Sequence, residues 1–100
     1  MLERVLWPRG RRMVTARPLA RRVDTLAGKT VAQVWDDLFR GDEIFPMLEA
    51  ALAQRFPGIK FVGYRTFGST HGADEREVLK NLPARMREHG VDAVISGMAC

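Results

Sequence analysis

The chain has 100 residues, enough for one small domain that buries about two thirds of its unfolded surface. With 46% hydrophobic and 28% charged residues, it is ordinary for a soluble globular protein, which excludes wholesale disorder. No apolar run approaches the roughly 18 residues of a membrane helix, and the N-terminus has no apolar signal segment, so the expected location is the cytoplasm with no membrane partner.

The net charge of +4 is unevenly placed. Residues 1–29 carry eight Arg or Lys against Glu3 and Asp24, a net of +6, whereas residues 30–100 carry eight against ten acids, a net of −2. The chain is therefore read as a basic N-terminal arm, 1–29, followed by an α/β domain, 30–100. Such an arm attracts nucleic acid through counterion release. It holds only Trp7 as an aromatic and no recognition motif, so an exposed, solvated arm is the preferred reading. Within it, Trp7-Pro8-Arg9-Gly10 is a turn signal, Met13-Val14-Thr15 a short extended piece, and Arg17 is held extended by Pro18.

Thr30–Asp36 reads as the first strand from its β-branched residues and abrupt acidic end. A helix follows, with Asp42 as cap, Glu43 and Pro46 in or near its first turn, and an inward face of Ile44, Met47, Leu48, Ala51, Leu52 and Phe56. Pro57-Gly58 ends it. Ile59–Tyr64 is the second strand, and Arg65–Gly72 a polar, glycine-bounded loop. The second helical pattern starts near Asp74, with Val78, Leu79, Leu82 and Met86 inward. Pro83 is expected to kink it or split it in two. Gly90 reads as a left-handed cap, and the apolar run from Val91 to Ile95 as a buried parallel strand.

Strand, helix, strand, helix, strand with short connections implies right-handed crossovers and a parallel sheet. The expected fold is a three-layer α/β/α domain, βαβαβ with strand one central, resembling half of a flavodoxin-like sheet. All carboxyl ends then meet at one rim, where open α/β sheets hold their ligands. That rim gathers Asp36, Asp37, Arg40 and Asp42, then Ser69, Thr70 and His71, then Ser96, Gly97 and Cys100.

The candidate site residues come from this rim. Cys100, a thiol beyond a parallel strand, can act as a nucleophile or redox group. It is the only cysteine, so it cannot close an internal disulfide or build a zinc cluster. Asp36, Asp37 and Asp42 can bind a polar ligand, Arg40 can hold a carboxylate or phosphate in bidentate fashion, and His71, with Ser69 near it on the rim, can serve as a proton donor or metal ligand. The competing readings are a helix cap for Asp42, an exposed loop residue for His71, and, for His89, a support of the helix C-terminus. No metal site is expected, because no His or carboxylate stands at ligand spacing. No cofactor is expected either. Gly28-Lys29-Thr30 precedes a strand rather than a helix, so it is not a phosphate loop, and no dinucleotide fingerprint follows strand one.

Several stretches in order resemble the UGSC-motif (seleno)protein family: Val5-Leu6-Trp7-Pro8-Arg9-Gly10, then Arg17-Pro18-Leu19-Ala20-Arg21-Arg22-Val23-Asp24-Thr25-Leu26-Ala27-Gly28-Lys29-Thr30-Val31, then Val91-Asp92-Ala93-Val94-Ile95-Ser96-Gly97. The resemblance covers nearly the whole chain as the front half of that domain. It implies a selenocysteine or cysteine, followed by Gly-Ser-Cys, just beyond the third strand, and hence thiol or selenol redox chemistry. The expectation is a chain ended at a selenocysteine codon after Cys100 and inactive alone; the alternatives are a deliberately shortened chain or one completed by a partner. Its partners would be a small-molecule substrate and either a second copy or the missing C-terminal half. The rival from another class is a non-enzymatic α/β module binding nucleic acid or a partner chain through its arginine arm.

Overall fold

The structure, a computed structural model, describes residues 2–11 and 13–99; Met1, Arg12 and Cys100 lie outside the described residues. Residues 2–11 and 13–25 are exposed and form neither helix nor strand, so the expected piece at Met13-Val14-Thr15 pairs with nothing. Regular structure begins where the β-branched residues do: β1 (Thr30–Trp35), α1 (Gly41–Arg55), β2 (Lys60–Val62), α2 (Glu75–Glu88) and β3 (Ala93–Gly97).

The sheet is parallel, ordered β2-β1-β3, with β1 central as expected. Val31, Ala32, Gln33 and Val34 of β1 are all buried. Its alternate side chains meet different helices. Gln33 donates a 2.6 Å hydrogen bond to Glu49 of α1, whereas Ala32 and Val34 join Phe67 in a cluster packed by Leu82 and Met86 of α2.

The pairing of β1 with β3 is bracketed by two carboxylates. At the amino ends, Asp92 accepts the Thr30 N–H at 2.9 Å and its own N–H donates to the Thr30 carbonyl at 2.8 Å. At the carboxyl ends, Asp36 accepts the Ala99 N–H at 2.7 Å and its N–H donates to the Gly97 carbonyl at 3.3 Å. A one-residue slip would break both brackets as well as reverse every side chain.

The elements depart from expectation in six places. The first strand ends at Trp35, the last residue paired with β3; beyond it Asp36 accepts the Leu38 N–H at 3.1 Å and starts the turn. The second strand is only Lys60–Val62; Tyr64–Thr66 coil into a single 3-10 turn. Asp42 does not cap α1, since Arg40 holds the cap position without a side-chain hydrogen bond; Asp42 lies in the first turn, where its charge suits the helix dipole.

The face of α1 is also different. Ile44, Met47, Leu48 and Ala51 are exposed, and the inward stripe is Phe45, Glu49, Leu52 and Phe56. Phe45 decides the rotation, being drawn into an aromatic cluster with Trp35, Phe39 and Tyr64. Finally, α2 runs unbroken through Pro83. The proline stands on the exposed side, where water can satisfy the carbonyl one turn earlier that its missing N–H leaves free. Gly90, at φ +62°, does end this helix as expected: its N–H reaches the Arg87 carbonyl and that of Val91 the Met86 carbonyl, a Schellman motif. The third strand is an edge strand rather than a buried one, with Val94 49% exposed.

Candidate functional site

The parallel sheet brings three strand tips to one rim, and the loops after β1 and β2 close over it. Beyond Val62 the chain makes its 3-10 turn and returns to β1, where Ser69 forms a parallel bridge with Trp35 and Thr70 donates to the Trp35 carbonyl at 3.1 Å. Gly68 permits that return at φ +86°.

Trp35 is the hub of the rim. Its ring meets Phe39, Phe45 and Tyr64 edge-on at centroid distances of 5.8, 6.4 and 4.9 Å, an arrangement favoured by the ring quadrupoles. The packing requires Gly41, because a Cβ there would lie 2.6 Å from Trp35 Cε2 and 2.8 Å from Nε1. Gly97 is also close to the cluster, a Cβ there lying 2.6 Å from Phe39 Cζ and 3.1 Å from Phe45 Cζ. Trp35 Nε1 is buried with no acceptor among the described residues, an orphan donor that costs on the order of 1–3 kcal/mol.

Beside Trp35 opens a cavity of about 400 Å3. Trp35 and Tyr64 supply its aromatic wall; Asp37 and Asp42 come from the loop and first helical turn after β1, and Arg65 and Ser69 from the return loop after β2. Asp37 holds a left-handed backbone, φ +64°, the only non-glycine residue in that region among those described. Such conformations are uncommon outside glycine, and aspartate tolerates them better than most residues.

The expected site residues separate on this surface. Asp42 and Ser69 line the cavity, although the Ser69 hydroxyl is already engaged, donating to the His71 carbonyl at 2.8 Å and accepting the His71 N–H at 3.2 Å. Asp36 is buried, 4% exposed, and each of its oxygens accepts a backbone N–H; it ties the tips of β1 and β3 together. Arg40 points to solvent, its side chain 81% exposed, in an ion pair with Glu43 at 3.1 Å. His71 is exposed and outside the cavity lining. His89 packs edge-on against buried Phe67 at 5.9 Å. Cys100 lies outside the described residues.

Trp35, Tyr64 and Arg65 were not legible as site residues. The signal available was two aromatics near the carboxyl ends of neighbouring strands, masked for Tyr64 by a second strand read too long. Among the described residues no three His, Cys, Asp or Glu side chains are grouped to hold a metal ion, and no helix is long and apolar enough to cross a membrane.

Compared with known proteins, the chain matches the family model described as the UGSC family over residues 4–100. No curated protein and no solved structure matches it.

Proposed function

Starting from the fact that this chain belongs to the UGSC family, we propose that it supplies the front part of a thiol or selenol oxidoreductase, whose reactive group follows Cys100 on the rim of the sheet. The observation that carries the reading is the 2.7 Å hydrogen bond from the Ala99 N–H to Asp36. It anchors the chain leaving β3 against the tip of β1, beside the Trp35 cavity, one residue before the thiol. Asp36 is then a positioning residue, and Asp42 with Ser69 borders the space where a small polar substrate sits. The complete domain is read as three-layered and flavodoxin-like, supported by the opposite faces of β1 meeting α1 and α2.

In this reading Cys100 is the catalytic residue in this chain, paired with the selenol or thiol of the family motif. Two electrons and two protons leave the pair as it joins in a selenylsulfide or disulfide, and they reduce a substrate disulfide to two thiols. Arg40 and His71 stand outside the cavity and take no part in this step.

The test is made on the protein produced from its natural gene. Mass spectrometry should find selenocysteine or cysteine, then Gly-Ser-Cys, directly after Cys100. That protein should reduce hydroxyethyl disulfide, and Cys100→Ser should abolish the activity. A gene whose reading frame holds no such motif after the Cys100 codon, or full activity in Cys100→Ser, overturns the proposal.

A further inference from the structure

The cavity beside Trp35 has an unusual charge balance. Asp37 and Asp42 stand on the β1 side and Arg65 on the β2 side of the same space. None of the three is paired, the Arg40–Glu43 contact being the sole ion pair among the described residues. A simple anion would enter against two carboxylates, and a simple cation against a guanidinium, so each is opposed by like charge. A ligand carrying both signs on a short frame meets no such opposition, and the separated walls tell its two ends apart. Trp35 and Tyr64 line the same space and give it apolar ring surface suited to the carbon frame.

We propose that this cavity binds a small zwitterion of the α-amino-acid class, its ammonium group held by Asp37 and Asp42 and its carboxylate by the Arg65 guanidinium. The planar fork of arginine matches a carboxylate in bidentate fashion, which lysine in its place would not. The left-handed backbone of Asp37 directs a carboxylate from the loop where a glycine would be the easier residue, a form of local strain found at binding sites. The inference rests on the reading of this rim as a substrate site and names the substrate class. An amino acid that itself bears a thiol or disulfide would bring its sulfur to the rim where Cys100 follows Ala99.

The experiment uses the whole chain with Trp7→Phe, which leaves Trp35 as its single indole. Trp35 fluorescence is titrated with L-alanine, and in parallel with propionate and ethylamine, which lack the ammonium and the carboxylate respectively. L-alanine should give a saturable change, and each half-ligand should bind about tenfold more weakly or worse, the equivalent of one charge-assisted hydrogen bond. Arg65→Gln should weaken L-alanine but not ethylamine, and Asp42→Asn should weaken L-alanine but not propionate. This cross-pattern is one that a merely unfolded variant cannot produce.

Ethylamine or propionate binding as tightly as L-alanine overturns the proposal, as does the absence of any saturable response. Repeating the titration with Cys100→Ser separates this inference from the redox reading. Binding should persist there even though the same substitution abolishes disulfide reduction in the protein produced from its natural gene; loss of binding with the thiol would overturn the assignment to Asp37, Asp42 and Arg65.

Discussion

Two glycines at the rim look alike and should behave differently. A Cβ at Gly41 meets three atoms of the Trp35 indole within 2.9 Å, and that ring is fixed by three aromatic neighbours. At Gly97 the nearest obstacle is the far end of Phe39, a half-buried ring at the surface that can swing away. Gly41→Ala should therefore cost about 1–3 kcal/mol by overpacking, and Gly97→Ala distinctly less; urea denaturation followed by Trp35 fluorescence measures both. Equal costs would mean the aromatic cluster is not rigid. A second test concerns Asp36, whose two oxygens each accept a backbone N–H. Asp36→Asn keeps the shape but must turn an NH2 group toward either Leu38 or Ala99. The expected loss is about 1–3 kcal/mol, with hydrogen exchange rising at the Ala99 and Leu38 amides; unchanged exchange would show that the bracket at the strand tips is dispensable.

At the level of elements, what could be read in advance followed from short-range chemistry. β1, its central place and the glycine stop at Gly90 rest on β-branched runs, connection length and a left-handed cap, each local to a few residues. The rotation of α1 was not readable. Its sequence offers two overlapping apolar stripes, and the choice depends on Phe45 finding Trp35 and Tyr64 across the rim, a tertiary fact. The same holds for the cavity: Asp42 and Ser69 followed from the rule that sites lie beyond strand tips, while Arg65 and Tyr64 needed the true end of β2. Of the two outcomes expected at Pro83, the split into two helices did not occur, because Pro83 faces solvent. Relief of its cost is measurable. Pro83→Ala restores one helical hydrogen bond and should stabilise the protein by about 1–3 kcal/mol, raising the denaturation midpoint without altering the fold seen by circular dichroism. A loss of stability would place Pro83 in contacts its exposure does not suggest.

For the whole molecule, exposure divides the chain into parts that carry stability and parts that do not. Leu2, Val5, Leu6, Met13, Val14 and Leu19 in the arm are each at least 84% exposed, so removing residues 1–22 should change the unfolding free energy by less than about 0.5 kcal/mol. The body has a different liability. β3 is an edge strand with Val94 49% exposed and Met98, just beyond it, 75% exposed, beside an open apolar groove of about 450 Å3 reaching Leu82 and Met86. Unpaired backbone groups along an apolar edge invite another strand, and the exposed Ile44, Met47 and Leu48 on α1 add a second apolar patch. The 100-residue chain should therefore self-associate as its concentration rises. A lysine on the edge places charge where a second sheet would have to pair, the means by which natural edges are kept apart. Val94→Lys should hold the protein monomeric in sedimentation velocity at concentrations where the parent associates, with the circular dichroism unchanged because Val94 is half exposed. A parent chain that remains monomeric throughout, or a variant that associates equally, would mean the β3 edge is already protected.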